Sequence, residues 1–121
     1  MTPTGDRRRR AVRRGRWAET LAAWLLRLKG YSLLARDYRT AVGEVDILAR
    51  RGQVLAAIEV KRRADLDHAA QSVQARQRRR IERAASAYLA RLPDGAGLSL
   101  RFDVVLVARG RLKHIADAWR P

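Results

Sequence analysis

Along the 121-residue chain the spacing of hydrophobic and polar positions changes period several times, and each change marks an element. From Trp17 the apolar residues Trp17, Leu21, Trp24, Leu25 and Leu28 recur at i, i+4, i+7, i+8 and i+11, one stripe on a helix, and Gly30 follows as the expected C-terminal cap. Three strand-like runs come next: Tyr31 to Arg39, Glu44 to Arg50 and Val54 to Arg62. Thr40-Ala41-Val42-Gly43 and Arg51-Gly52 separate them, so they read as an antiparallel meander. From Ala69 to Leu92 the period is helical again, with Val73, Ile81, Ala84, Ala85, Tyr88 and Leu92 on one face and Arg76, Arg80 and Arg83 on the other. Pro93-Asp94-Gly95 ends that helix. Leu98 to Ala108 alternates as a strand, and Arg109-Gly110 turns into a short last strand around Leu112 to Ile115. The order helix, three strands, helix, strand predicts an α/β fold with a mixed sheet open to helices on both faces. Residues 17–121 read as one domain of a length that supports a single modest core, preceded by a basic arm, residues 1–16.

Charge adds a partner to this reading. Lys and Arg number 27 against 12 Asp and Glu, a net charge of +15. Of the basic residues 24 are Arg, and 21 residues are Ala, a bias that GC-rich coding DNA produces by itself. That bias does not require acidic residues to be outnumbered more than two to one, so a polyanionic partner is expected: nucleic acid, DNA first, ahead of an anionic membrane surface. Arg7, Arg8, Arg9, Arg10, Arg13 and Arg14 make the arm a block of like charge, expected to be disordered when free and to contact phosphates. Arg76, Arg80 and Arg83 form a second phosphate-tracking surface, because a merely solvated helix face mixes signs for i,i+4 pairing and only Glu82 is near. No motif reads bases, whether helix-turn-helix, zinc finger or aromatic RNA platform, so recognition should follow backbone and shape.

The absence of cysteine excludes a disulfide framework, a thiolate nucleophile and a cysteine-ligated zinc site. No apolar run approaches the roughly 18 residues of a membrane span, and no apolar segment backs the arginine-rich start, so a cytoplasmic protein is expected.

Charges placed inside apolar strands carry the candidate chemistry. In Ala57-Ile58-Glu59-Val60-Lys61 the alternation of a strand puts Glu59 and Lys61 on one face. A turn at Arg51-Gly52 sets Asp46 opposite Ala57 and Glu44 opposite Glu59; a turn at Gly52-Gln53 sets Asp46 opposite Glu59. Either register places Asp46, Glu59 and Lys61 on one face, with neighbouring strands about 4.8 Å apart, close enough for two carboxylates to share a cation. Phosphodiester hydrolysis needs this set. A hard divalent cation held by carboxylates neutralises charge at the phosphate, and an ammonium orients or deprotonates the attacking water. Lys61 is one of three lysines in a chain that otherwise uses arginine, and a compact ammonium titrates where a guanidinium does not. A solvated sheet face laced by a salt bridge has the same spacing.

Three blocks, Gly15-Arg16-Trp17-Ala18-Glu19 with Gly30-Tyr31, Gly43-Glu44-Val45-Asp46-Ile47, and Ile58-Glu59-Val60-Lys61-Arg62-Arg63, resemble those of the YraN family of bacterial predicted endonucleases. Arg78-Arg79-Arg80-Ile81 with Ala84-Ala85 and Tyr88-Leu89, and Arg101-Phe102-Asp103-Val104-Val105, extend the resemblance over residues 15 to about 107. That family is similar to Holliday-junction resolvases of the PD-(D/E)xK, restriction-endonuclease-like superfamily, whose core is αβββαβ. The resemblance implies a Mg²⁺- or Mn²⁺-dependent endodeoxyribonuclease acting on branched DNA. It implies Asp46 and Glu59 as metal-binding carboxylates, the Val60 carbonyl as a further ligand, Lys61 as catalytic lysine and Glu19 as an added acid from the first helix. Cutting two symmetry-related strands would suit a homodimer. The chain departs from the pattern at Val45, where the superfamily has proline, and at Gln77, where relatives often carry lysine. The rival reading is a non-catalytic module that binds DNA or RNA on the same fold.

Other polar residues have simpler expectations. By helical angle Glu19 lies off the Trp17 stripe, beside Ala22, Ala23 and Leu26. Glu44 reads as a solvated charge at a strand start, Gly43 as a turn residue and Asp103 as a structural hydrogen-bond or salt-bridge partner. Asp65-Leu66-Asp67-His68 reads as a capping loop, and neither His68 nor His114 has partners at metal-ligand or triad spacing.

Overall fold

The computed structural model describes the backbone of residues 3–62 and 73–121 and, within these, the side chains from Arg16 onward. Helix α1 (Pro3–Leu28) precedes strands β1 (Ser32–Thr40), β2 (Gly43–Arg51) and β3 (Val54–Arg62); helix α2 (Ala75–Arg91) precedes β4 (Ser99–Ala108) and β5 (Arg111–Trp119). The five strands form one sheet in the order β1-β2-β3-β4-β5. The first three are the expected antiparallel meander, β3 and β4 are parallel across the α2 connection, and β5 returns antiparallel. This is the α/β mixed sheet that the element order predicts, and it is consistent with the restriction-endonuclease-like core that the resemblance implies.

The turns follow from short-range chemistry. Gly30, at φ 91°, ends α1: its N–H donates to the Arg27 carbonyl and the Tyr31 N–H to the Leu26 carbonyl, the paired bonds of a glycine-terminated helix. Thr40 Oγ1 accepts from the Val42 and Gly43 N–H groups and closes the β1–β2 turn. Arg51 pairs with Val54, so the β2–β3 turn is Gly52-Gln53, the second of the two predicted registers, and Gly52 takes φ 60°.

The sheet separates two cores. On one face α2 packs Ile81, Ala84 and Ala85 onto Val45, Leu48, Leu55, Val104 and Leu106; on the other α1 packs Ala18, Ala22, Ala23 and Leu26 onto Ile47, Ala49, Ile58 and Val105. β3 and β4, apolar on both faces, lie inside this sandwich, as parallel neighbours covered on both sides do.

Four sequence expectations change. The face α1 buries is the alanine face and not the Trp17 stripe; small residues let the helix lie close to the sheet, and Trp17, Trp24 and Leu28 stay exposed. The helix also begins well before Trp17, at Pro3, since arginine is a good helix former and proline suits a first helical position. β5 runs to Trp119, which stacks on Phe102 at 5.3 Å and closes the end of the core. Gly43 answers to packing more than to turn geometry. A Cβ there would lie 1.9 Å from the Arg80 carbonyl oxygen, because α2 crosses β2 at this point.

Gly43→Ala should therefore push α2 off the sheet and cost about 1–3 kcal/mol, as overpacking does. Gly97→Ala, where an added Cβ meets nothing within 4 Å, is the control. Thermal melts that place the two variants together would contradict this account of Gly43.

Candidate active site

Asp46 sits where the sheet's regular alternation fails. Val45 packs on the α2 side and Ile47 on the α1 side, although residues two apart on a regular strand share a face. On β1, Arg36 pairs with Ile47 and Tyr38 with Val45; Asp37 between them has φ 49°, a left-handed conformation that aspartate tolerates better than most residues. The recorded β2–β3 ladder ends at Ile47–Ile58. Past it the Val60 N–H donates to Asp46 Oδ2 at 2.9 Å, so a side-chain carboxylate satisfies this backbone donor. The irregularity turns Asp46 towards the end of β3.

Other elements converge there. Glu19 comes from the buried face of α1 and accepts from Arg36 Nε at 3.1 Å. Glu19, Asp37 and Asp46 each bring a carboxylate oxygen within 4.8 Å of the others. With Glu59, Val60, Ala18 and three arginines, Arg16, Arg39 and Arg62, they line a cleft of about 370 Å³. Glu59 is 7% exposed and lies 3.5 Å from Lys61 Nζ. Gln77 of α2 ties this pair together: its Nε2 donates to Glu59 Oε1 at 2.7 Å and its Oε1 accepts from Lys61 Nζ at 3.0 Å. A larger hollow of about 660 Å³ beside Val42, Glu82, Arg83, Ser86 and Phe102 is mainly apolar and holds a single acid, Glu82, whose carboxylate accepts from Trp119 Nε1.

Burial makes three of these acids harder to ionise. Burial, reinforced by the Asp46 charge, raises the Glu59 carboxyl to about 8, and the nearby Lys61 ammonium does not outweigh it. Burial likewise lifts Glu19 to about 7 against the pull of Arg36, and raises Asp46 against its bond from Val60. An all-oxygen, acid-rich, partly desolvated donor set fits a hard divalent cation such as Mg²⁺ or Mn²⁺ and suits zinc less well. Glu19, Asp37 and Asp46 could hold it, with Glu59 and Val60 on the same cleft wall.

The raised values set a pH dependence. Between about 4.5 and 8 the folded, metal-free chain binds more protons than the unfolded chain, so stability from Glu19 and Glu59 is full below pH 4.5 and lost as pH rises through 7 and 8. Glu59→Gln keeps an uncharged group in place. In EDTA it should raise Tm more at pH 8.5 than at pH 6, whereas an equal change at both pH values would contradict the burial of a titrating Glu59.

The structure thus unites Glu19, Asp46, Glu59 and Val60 in one cleft and sets Lys61 at its side. Asp37 was missed, because a lone acid in a strand-like run carries no signal until its backbone turns. Arg39 and Arg62 were missed as strand-end charges and Arg16 as part of the arm. Arg76 and Arg83 are exposed on α2, and Arg80 beside them pairs with Glu44 at 2.7 Å, so Glu44 is an ion-pair partner and not merely a solvated charge. The side chains of Arg7, Arg8, Arg9, Arg10, Arg13 and Arg14, and the segment containing Asp65, Asp67 and His68, lie outside the described residues. Asp103 is structural, as expected: it is fully buried and held by Arg101 and His114.

Fold and site together define an α/β protein of the restriction-endonuclease-like kind with a carboxylate cleft at the end of its second and third strands. Residues 18–107 match the model of the uncharacterised protein family UPF0102. The chain is 54% identical over 112 residues to a UPF0102 protein of Parvibaculum lavamentivorans, covering 92% of this chain and 84% of that one. It is 56% identical over 115 residues to a UPF0102 protein of Paramagnetospirillum magneticum, covering 91% and 89%, and 50% identical over 116 residues to one of Methylorubrum extorquens, covering 95% and 91%. The chain belongs to the UPF0102 family, the YraN family whose sequence blocks it resembles. Among the described residues no helix is long and apolar enough to cross a membrane.

Proposed function

We propose that the chain is a Mg²⁺- or Mn²⁺-dependent endodeoxyribonuclease, with branched DNA as the substrate class to which its resemblance to resolvases points. The observation that carries this reading is the convergence of acids from four separate elements, Glu19 of α1, Asp37 of β1, Asp46 of β2 and Glu59 of β3, into one cleft beside Lys61 and under an arginine rim. Four acids drawn together in a strongly basic protein answer to a cation and not to a generally acidic surface.

In this reading Asp46, Glu19 and Asp37 hold the cation, and Glu59 and the Val60 carbonyl complete the site from β3. The bound cation supplies charge to the phosphate and acidifies water. Arg16, Arg39 and Arg62 receive the sugar–phosphate backbone at the cleft mouth. The arginines of residues 1–16, with Arg76 and Arg83, extend the phosphate contacts. Lys61, fixed by Gln77 and Glu59, offers an ammonium to orient the attacking water, and Gln77 takes the place where relatives often carry a second amine.

Incubating the purified chain with duplex, flap, four-way-junction and single-stranded DNA in Mg²⁺, Mn²⁺ or EDTA tests this reading. Metal-dependent cleavage, strongest on a branched substrate, is expected. Binding without cleavage on every substrate would replace it with the non-catalytic nucleic-acid-binding module.

A further inference from the structure

Helix α1 buries its alanine face, which leaves Trp17 62% and Trp24 58% exposed, with Leu28 at 83%. Large aromatic side chains rarely stand this free on a soluble protein without a partner. Trp17 and Trp24 are seven residues apart, so they share one helix face about 10 Å apart along the axis, three steps of a stacked nucleotide strand. Two cations sit with them. The Arg27 guanidinium lies 5.4 Å from the Trp24 ring centre, and Arg16, next to Trp17 in the chain, lines the carboxylate cleft together with Ala18 and Glu19.

We infer that this face of α1 binds single-stranded nucleic acid, with unpaired bases stacked on Trp17 and Trp24 and phosphates paired to Arg16 and Arg27. Charge selects this occupant over a second copy of the chain. Two copies docked along this face would bring together two helices rich in arginine, each on a chain of net charge +15, whereas a polyanion relieves that repulsion. Position favours it over a lipid surface, because Arg16, the chain neighbour of Trp17, lines the carboxylate cleft. Aromatic platforms with arginine hold single strands without reading sequence, since every base has a π-face. The inference builds on the nuclease reading by assigning the cleft a substrate with unpaired bases beside the cut, but the binding itself needs no cleavage.

The test is the affinity of the full chain, in EDTA, for a fluorescein-labelled 20-nucleotide thymidine strand, the matching uridine strand, and an abasic strand of the same length, which keeps the phosphates and lacks the bases. The thymidine strand should bind at least about 30-fold more tightly than the abasic one, the lower end of what two stacked bases at about 1–3 kcal/mol each imply. Trp17→Ala combined with Trp24→Ala should remove most of that preference while leaving abasic and duplex affinity within about 2-fold, and Trp→Phe at both positions should restore it in part. Both rings are exposed, so the variants should keep the wild-type melting curve. Equal thymidine binding by wild type and the double Ala variant would overturn the inference. So would a wild-type dimer in sedimentation that the double variant dissolves, or binding to phosphatidylserine vesicles in place of the strands. A uridine strand bound as tightly as thymidine supports it and extends the platform to RNA. Base-dependent binding with no cleavage of any DNA would overturn the nuclease reading alone, and cleavage without base dependence would overturn this inference alone.

Discussion

Asp46→Asn, Glu59→Gln and Lys61→Ala are each expected to lower single-turnover DNA cleavage by at least about 100-fold, the scale on which a positioned charge or proton carrier acts. DNA affinity in EDTA should stay within a few-fold, because the arginines that meet phosphate are untouched. The three substitutions remove different things. Asp46 is the acid common to the α1, β1 and β3 contributions: it lies within 4.8 Å of Glu19 and Asp37 and holds the Val60 N–H. Glu59 links the cleft to Lys61, and Lys61 is the site's one lysine. Glu19→Gln should lose less, since Arg36 already engages that carboxylate. Asp37→Asn belongs with it and is a clean probe, because asparagine tolerates the same left-handed backbone. Unchanged cleavage in any two of the three main variants would sink the assignment.

The largest loss of stability should come from a different acid. Asp103→Ala is expected to cost about 3–5 kcal/mol, the cost of breaking a buried ion pair from one side, out of a total of about 5–15 kcal/mol for a domain. Asp103 has no exposed surface. It accepts from Arg101 Nε at 2.8 Å and Nη2 at 2.7 Å, lies 2.8 Å from His114 Nε2, and takes the Asp117 N–H at 3.0 Å. Burial alone would raise its pKa, but the bonds from His114, Arg101 and Asp117 outweigh it and hold the carboxyl at about 2. The stability it confers is therefore present above the ordinary value of 3.8 and lost as pH falls towards 2. Alanine strands a guanidinium, an imidazole and a backbone donor together; Asp103→Asn keeps some of the bonds and should fall between. Urea unfolding at pH 7 measures both. A loss under about 1 kcal/mol for Asp103→Ala would show that the network does not hold the α1 side of the sheet to β5.

The two acids show what can be read from residues in order. The strands, the meander, the parallel return and the helical faces of α2 were legible, because period and turn residues are local. Asp46, Glu59, Lys61 and Glu19 were legible because they interrupt apolar runs or match sequence blocks of the family. Asp37 was not: its role depends on a break of alternation shared by β1 and β2, visible only once the strands are paired. The burial of α1 was misleading for a related reason. Its tryptophans make the stronger apolar stripe, yet alanines win the sheet, since closeness to a flat surface favours small side chains. The pairing of Arg80 with Glu44, 36 positions away and 2.7 Å apart, was likewise not legible, because only folding brings them together.

Everything proposed for the cleft depends on its holding a hard divalent cation, and calorimetric titration of Mn²⁺ into the full chain at pH 7.5 measures that directly. One site should appear, with a heat that varies with the ionisation enthalpy of the buffer, because cation binding must expel the protons that burial keeps on Glu19 and Glu59. Asp46→Asn should abolish the site, and Mg²⁺ should compete for it. No Mn²⁺ binding to the wild-type chain, or tight Zn²⁺ binding that survives Asp46→Asn, would contradict the account.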